Sequence, residues 1–173
     1  MGIVKIPKPV MFFASIIYKD EGMLGVAIDA LEEKIGDIHE KTQRMAFDHT
    51  DYYSGEMGDS LCRILVLFEP LMPREYLIET KLTTNSIEMD LSGGEKRKIN
   101  IDPGYITLEN VILATTKNYT HRIYMGSGIY ADLTLIFKKG TYTPLEWTYP
   151  DYAGSEIISI LNRWRGYYKR MLA

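Results

Sequence analysis

The chain has little of three features that mark special classes of protein. Its 173 residues include one cysteine, Cys62, so no disulfide can form within the chain, as is typical of the reducing cytoplasm. Its apolar runs are far shorter than the roughly 20 residues that a membrane-spanning helix needs. Its 20 basic and 23 acidic residues nearly cancel, so no overall positive field attracts nucleic acid. We therefore expect a cytoplasmic globular protein that binds neither membranes nor nucleic acid.

Motifs of the common catalytic classes are also missing. The chain has no GxxxxGK[ST] phosphate loop, no glycine-rich dinucleotide fingerprint, no serine nucleophile elbow and no zinc-ligand spacing. His49 and His121 do not form the paired motif of two-histidine phosphodiesterases, because neither Thr50 nor Thr120 stands two positions after its histidine. The sequence therefore does not decide whether the protein is an enzyme, and it identifies no cofactor.

What the chain does have is the composition of a folded protein, with 46% hydrophobic and 25% charged residues. Apolar runs and helical periodicity predict four elements in the first half: a buried strand at 10–18, a helix from 21 to about 35, a buried strand at 62–68 and a helix from 73 to about 91. Asp20 can cap the first helix, and Pro70 and Pro73 should stop the second strand.

From residue 97 onward the apolar period changes to two, which is typical of strands. The pattern predicts a strand from 97 to 102, a strand at 111–117, a hairpin of 123–125 with 129–137, and a last helix at 155–173. We expect Asp102, Pro103 and Gly104 to form a turn and Ser155 to cap the last helix.

These elements predict a single α+β domain over residues 1–173. We expect a mainly antiparallel sheet with two helices across one face in a ferredoxin-like arrangement, extended by hairpins and a C-terminal helix. A mixed sheet with its helices split between the two faces is the alternative.

Six short motifs resemble one known family. They are HTDYY at 49–53, NIDPGYIT at 100–107, LATTK at 113–117, HRIY at 121–124, GIYADLTLIF at 128–137 and WTYPDY at 147–152. Over nearly its whole length the chain resembles the short prokaryotic proteins grouped as domain of unknown function 4416. The resemblance implies one compact domain and assigns no chemistry.

Polar side chains that core packing does not require concentrate in residues 99–132. The candidate ligand-binding residues are Asn100, Asp102, Lys117, His121, Arg122 and Asp132, with Lys81 facing them from the second helix. A strand that carries donors, carboxylates and cations together often lines a pocket. Arginine and lysine are the usual partners of phosphate or carboxylate groups, so we expect an anionic ligand, phosphorylated or nucleotide-like.

A simpler interpretation exists for these cations. Charged residues on strands commonly face solvent or form ion pairs. If residues 126–128 form a three-residue loop, Arg122 lies directly opposite Asp132 across the hairpin, and Tyr124 lies opposite Tyr130. Arg122 and Asp132 would then be simple cross-strand partners.

Three aspartates are candidate ligands for a hard cation such as magnesium: Asp48, Asp51 and Asp102. All three are equally typical of turns and helix caps, and no ligand set is complete. We therefore predict a small-molecule-binding protein whose pocket is lined by the 99–132 segment. The alternative is a non-catalytic interaction module or homo-oligomer that packs through its hairpins and tyrosines.

Overall fold

The computed structural model describes residues 2–47, 54–92, 94 and 96–173. Within these residues the elements follow the chain as β1 (Val10–Tyr18), α1 (Glu21–Lys34), β2 (Ile38–Lys41), β3 (Met45–Phe47), α2 (Ser54–Met57), β4 (Leu61–Met72), a 3-10 turn (Arg74–Tyr76), α3 (Leu77–Asp90), β5 (Ile99–Ile106), β6 (Asn110–Thr115), β7 (Arg122–Gly126), β8 (Ile129–Lys138), β9 (Thr141–Pro144), α4 (Pro150–Ala153) and α5 (Ser155–Met171). This combination of helices with an antiparallel sheet confirms the α+β class.

The described strands form one nine-stranded sheet. Its main order is β2-β4-β1-β5-β6-β8-β7, while β3 also pairs with β4 and β9 with β8. Every described pairing is antiparallel. The strand β1 lies between β4 and β5 and is buried along its whole length, as its continuous apolar sequence predicts.

The two faces of the sheet carry separate cores. On one face, alternate β1 residues such as Phe12 and Ile16 pack with buried residues of α1 and α3. On the other face, Met11 and Phe13 pack with α5, where Trp164 is the largest buried side chain. The helices α1 and α3 therefore share one face, and α5 covers the other.

The first helix begins and ends where the sequence predicts. The Asp20 carboxylate accepts a hydrogen bond from the Met23 backbone N–H at 2.7 Å, so it caps the first turn. The helix ends at Lys34, shortly before Gly36, whose φ of 143° is a conformation that side chains disfavour.

The predicted end of the second long strand is wrong at Pro70, because β4 continues through this residue to Met72; the strand does end directly before Pro73, as predicted. The pairing between β1 and β4 shifts between Met11 and Phe13, which face Leu71 and Leu67 respectively, so the extra residues of β4 form a bulge. A proline is tolerated at a bulge because the ladder there needs no N–H from it.

The turn predicted at Asp102, Pro103 and Gly104 is also wrong, since β5 runs straight through these residues to Ile106. Pro103 lies opposite Ala14 of β1. Gly104 is required by close approach, because a Cβ there would lie 2.4 Å from the Ile112 carbonyl oxygen of β6.

The β7–β8 hairpin has the predicted register: Arg122 faces Asp132, and Tyr124 faces Tyr130. The N-cap of the last helix, α5, is Gly154. The predicted cap, Ser155, is instead the first helical residue, and no side-chain capping bond is present. Across the described ranges, no helix combines the length and the apolar character that crossing a membrane requires.

Candidate functional site

A cavity of about 550 Å³ lies where β5 and β6 part. The two strands pair only from Gly104 to Ile106, and no described strand pairs with this side of β5 from Ile99 to Pro103. Alternate residues of a strand direct their N–H groups to the same side. The next ladder bond to β6 would therefore need an N–H from Pro103, which proline lacks, so the pairing ends there.

Side chains of α3 replace the missing strand partner. The Glu88 carboxylate accepts a hydrogen bond from the Ile101 backbone N–H at 2.6 Å. The Lys81 ammonium donates to the Ile101 carbonyl at 3.3 Å and to the Asp102 carboxylate at 2.9 Å. Buried backbone groups need such partners, so the opening between the strands is held by polar contacts.

A chain of polar contacts continues from Asp102 towards solvent. The Asn100 amide donates to the other Asp102 oxygen at 2.7 Å and accepts from the Arg97 guanidinium at 3.0 Å. Arg97 also donates to the exposed Glu56 carboxylate at 2.6 Å. This hydrogen bond is the largest influence on the pKa of Glu56 and lowers it, against the raising effect of burial. The charges of Arg97 and the nearby Lys117 lower it further. Arg97 and Lys117 therefore lie at the outer end of the cavity.

The pKa values of two neighbouring carboxyl groups, Glu88 on α3 and Asp102 on β5, are shifted in opposite directions. Burial raises the pKa of Glu88 to about 7, and the charge of Lys81 and the hydrogen bond from Ile101 compensate only in part. Burial would also raise the pKa of Asp102, but the charge and hydrogen bond of Lys81 and the amide of Asn100 lower it below its ordinary value. Asp102 is therefore ionised at neutral pH, whereas Glu88 is partly protonated.

The β7–β8 hairpin forms another wall. The Arg122 guanidinium donates to the Asp132 carboxylate at 2.8 Å, to the Lys117 carbonyl at 3.0 Å and to the Tyr149 hydroxyl at 2.7 Å. His121 lies 3.2 Å from the same Asp132 oxygen, and its ring stacks on Trp147 with centroids 5.0 Å apart. Arg122 thus ties the hairpin to the segment that precedes α4.

A buried arginine, Arg63, contacts residues that line the cavity but does not line it itself. Arg63 of β4 donates to the Ser15 hydroxyl at 2.8 Å and to the Asp151 carboxylate at 2.7 Å, and it is 3% exposed. Its guanidinium lies 4.4 Å from the centroid of the Tyr152 ring. Because Ser15 faces Asp102 across β1 and β5, these residues meet the polar chain described above.

Six of the seven predicted ligand-binding residues line this cavity: Lys81, Asn100, Asp102, Lys117, Arg122 and Asp132. His121 does not line it but contacts Asp132. The structure therefore brings the predicted polar residues together, and their role in binding stays a prediction. The metal candidates Asp48 and Asp51 lie outside the described residues. Within those residues, no group of three or more histidine, cysteine or acidic side chains could hold a metal ion.

Sequence reasoning missed other residues of the cavity and its surroundings, namely Ser15, Arg63, Asn85, Glu88, Arg97, Tyr149, Asp151 and Tyr152. Two of them could have been identified from the sequence. Ser15 is the one polar residue before Tyr18 in the apolar run of β1, and Arg63 is the one charge within a buried stretch of β4. A buried charge is rare unless it is paired, so Arg63 pointed to a specific environment.

Comparisons with known proteins give a family and nothing more specific. A family model described as "Domain of unknown function (DUF4416)" matches residues 8–168, which confirms the resemblance read from the short motifs. No curated protein and no solved structure matches the chain.

Proposed function

This chain belongs to the DUF4416 family, and we propose that its cavity binds a small anionic molecule, phosphorylated or nucleotide-like. One observation carries the proposal: a cavity of about 550 Å³ is lined by four cationic side chains from separate parts of the chain, namely Lys81, Arg97, Lys117 and Arg122. A volume of this size suits a small metabolite. No reaction is proposed.

The exposure of the cationic side chains favours binding of the anionic group at one end of the cavity. Arg97 and Lys117 lie at the outer end, and the Tyr149 ring there is 48% exposed. We call these three residues the mouth of the cavity. Further inside, the cations are engaged by carboxylates, as with Lys81 and Asp102. Arg97 at the mouth is likewise paired, with Glu56 at 2.6 Å, but its side chain is more exposed than that of Lys81. An incoming phosphate would therefore meet the cations of the mouth first.

A thermal-shift screen of nucleotides and metabolic phosphates tests the proposal. A ligand at a hundred times its dissociation constant should add about 2.7 kcal/mol to the free energy of unfolding. Lys117→Ala should reduce the shift, while Lys138→Ala, which removes an exposed lysine outside the cavity, should not. If no compound shifts the unfolding temperature, or if both variants behave alike, the anion-binding proposal is wrong.

A second candidate function is self-association, which the open edge at β7 favours. This strand ends the main order of the described sheet, and Ile123, Tyr124 and Met125 on it are 69%, 60% and 41% exposed. Unprotected apolar edge strands invite pairing with another chain. Sedimentation should then show a dimer that Ile123→Lys dissociates, whereas a concentration-independent monomer would exclude this function.

We also propose that the first half of the sheet is a ferredoxin-like βαββαβ unit made of β1, α1, β2, β4, α3 and β5. The order β2-β4-β1-β5 and the shared face of α1 and α3 support this interpretation. The cytoplasmic location stays a prediction.

A further inference from the structure

We propose that the wall of the cavity formed by α3 binds an ammonium group, so that the ligand is a phosphorylated amine and carries both signs of charge. This inference rests on the proposed function, because it names the class of molecule that the same cavity takes. We call this part of the cavity the α3 wall and define it by Lys81, Asn85 and Glu88. The three residues recur at helical spacing, so they share one face of α3.

Two side chains of the α3 wall offer oxygen atoms to a ligand. One Glu88 oxygen accepts from the Ile101 backbone N–H, and the other, Oε2, accepts no hydrogen bond from the described residues. The Asn85 amide likewise makes no hydrogen bond with them. The buried side-chain atoms that lack a partner in this part of the chain all belong to other residues. Glu88 Oε2 and the Asn85 amide are therefore open to the cavity that their residues line.

Glu88 has the weakest ionic partner of the acidic residues in the cavity wall. Of the four such residues that line the cavity in the described part of the chain, Asp102, Asp132 and Asp151 each have a cationic group within 2.9 Å. The cation paired with Glu88 is Arg97, at 4.0 Å, and Arg97 lies closer to Glu56, at 2.6 Å. A further positive charge beside Glu88 would therefore be favourable.

A proton now supplies that positive charge. Burial raises the pKa of Glu88 to about 7, although the charge of Lys81, the Ile101 N–H and the charge of Arg97 lower it. Asp102 raises it further. An opposite charge within a few ångströms favours the ionised form of a carboxyl group. A ligand ammonium beside Oε2 would therefore displace the proton, which leaves to the solvent.

The geometry of the α3 wall suits an ammonium group. Residues three apart on a helix have their Cβ atoms about 5–6 Å apart, so one group can reach both Asn85 and Glu88. An ammonium has three N–H donors and no acceptor, which matches the amide oxygen of Asn85 and the carboxylate oxygen of Glu88. An anionic group fits less well, because the ionised Asp102 lies beside this wall and Lys81 is already bonded to it.

The charges of the whole cavity favour a ligand of both signs. With Glu88 ionised, the described residues that line the cavity include four positive and four negative side chains. A ligand that carries only negative charge would meet the carboxylates as well as the cations. A phosphorylated amine can place its phosphate against the cations and its ammonium on the α3 wall.

The test uses two pairs of compounds that differ only by an amino group. O-phosphoethanolamine is compared with propyl phosphate, and glucosamine 6-phosphate with glucose 6-phosphate, by isothermal titration calorimetry on the full chain. We expect at least one amine to bind about tenfold more tightly than its partner, the effect of one charge-assisted hydrogen bond.

The competition with a proton gives a second measurement. Binding of the amine near neutral pH should release protons, so its measured enthalpy should depend on the ionisation enthalpy of the buffer. Its advantage over the partner compound should also grow as pH rises through about 7, because fewer Glu88 carboxyls then hold a proton. The partner compound controls for titration of the phosphate group.

Glu88→Gln should abolish both the preference for the amine and the proton release attributed to Glu88, because glutamine keeps an acceptor for Ile101 but has no charge. Asn85→Ala should weaken the amine by about fivefold. This variant should stay folded, since alanine favours a helix more than asparagine does. Glu33→Gln and Ser86→Ala, which change exposed residues outside the cavity, are the controls and should leave all affinities unchanged.

The outcomes separate the two proposals. Equal affinity within both pairs, or a preference that Glu88→Gln retains, would overturn the ammonium site and leave anion binding in the cavity intact. Failure of all four compounds to bind would also overturn the ammonium site. The anion-binding proposal falls with it only if the thermal-shift screen finds no ligand either.

Discussion

Glu88 should make the stability of this protein depend on pH in an unusual direction. The residue is 7% exposed, and burial raises the pKa of its carboxyl group to about 7. The charge of Lys81, the Ile101 N–H and the charge of Arg97 oppose this effect, while Asp102 adds to it. The unfolded chain has no such environment, so there the group titrates near its ordinary value of 4.5.

The sign follows from proton uptake. Between pH 4.5 and about 7 the native protein keeps a proton on Glu88 that the unfolded chain has released. The native state binds more protons, so the free energy of unfolding falls as pH rises through this window and levels off above it. The separation between 4.5 and about 7, at roughly 1.4 kcal/mol per pH unit, is worth about 3 kcal/mol.

Glu88→Gln isolates this contribution. Glutamine keeps an oxygen that can accept from the Ile101 N–H but carries no titratable proton. Urea unfolding of both proteins at intervals from pH 4.5 to 8 gives the difference in free energy at each pH, in which other titrating groups largely cancel. The free energy of unfolding of the variant, relative to that of the original protein, should increase by up to about 3 kcal/mol from pH 4.5 to 8.

The exposed Glu33 on α1 supplies the control, because Glu33→Gln measures the effect of removing one surface carboxylate. A difference between Glu88→Gln and the original protein that stays constant from pH 4.5 to 8 would refute the reasoning. It would mean that burial among α3 and β5 does not hold a proton on Glu88.

Three further predictions concern the cavity walls. Replacing Arg122 and Asp132 together by threonine should leave a folded protein, and calorimetry should show weaker binding of a phosphorylated ligand; unchanged affinity would give the pair a purely structural role. Lys117→Ala should weaken the same ligand and change the free energy of unfolding by less than about 0.5 kcal/mol, because the residue is exposed. Gly104→Ala should destabilise by about 1–3 kcal/mol in urea, since its Cβ would lie 2.4 Å from a carbonyl oxygen of β6. Gly25 lies in α1, and a Cβ there would have no other atom within 4 Å, so Gly25→Ala should instead stabilise the protein by about 0.5–1 kcal/mol. A loss of stability equal to that of Gly104→Ala would indicate that alanine is not tolerated in general.

Local patterns were sufficient for the elements that a run of residues defines by itself. The strand β1 is a continuous apolar run, and α1 has both an aspartate cap and helical spacing. The register of the β7–β8 hairpin also followed from sequence, because the short loop fixes which residues face each other. The pairing of Arg122 with Asp132 is therefore predictable from the sequence alone.

Tertiary pairing decided what local patterns could not. The residues Asp102, Pro103 and Gly104 have the composition of a turn, yet they form the middle of β5. The same chemistry serves another purpose there: the proline ends the pairing with β6, and the glycine lets the two backbones approach. Similarly, Pro70 lies within β4 because the strand bulges against β1. Which use a proline serves depends on strand neighbours that are distant in sequence.

The sequence predicted where most residues of the candidate site lie, but not what each of them contacts. The period-two pattern placed Asn100 and Asp102 on one face, and both line the cavity. Lys81 was assigned as a facing residue, but its role at the unpaired side of β5 depends on the gap beside Ile101. Pro103 marks the point where the pairing ends, but one sequence does not show which element lies beside the unpaired Ile101, so Glu88, which has the same role, was missed.

The ion pairs around the cavity limit what charge substitutions can reveal. The bonded pairs are Arg63–Asp151, Lys81–Asp102, Arg97–Glu56 and Arg122–Asp132. Where such a pair is buried, removing one partner leaves an uncompensated charge and destabilises the fold, so a lost ligand and a lost fold look alike.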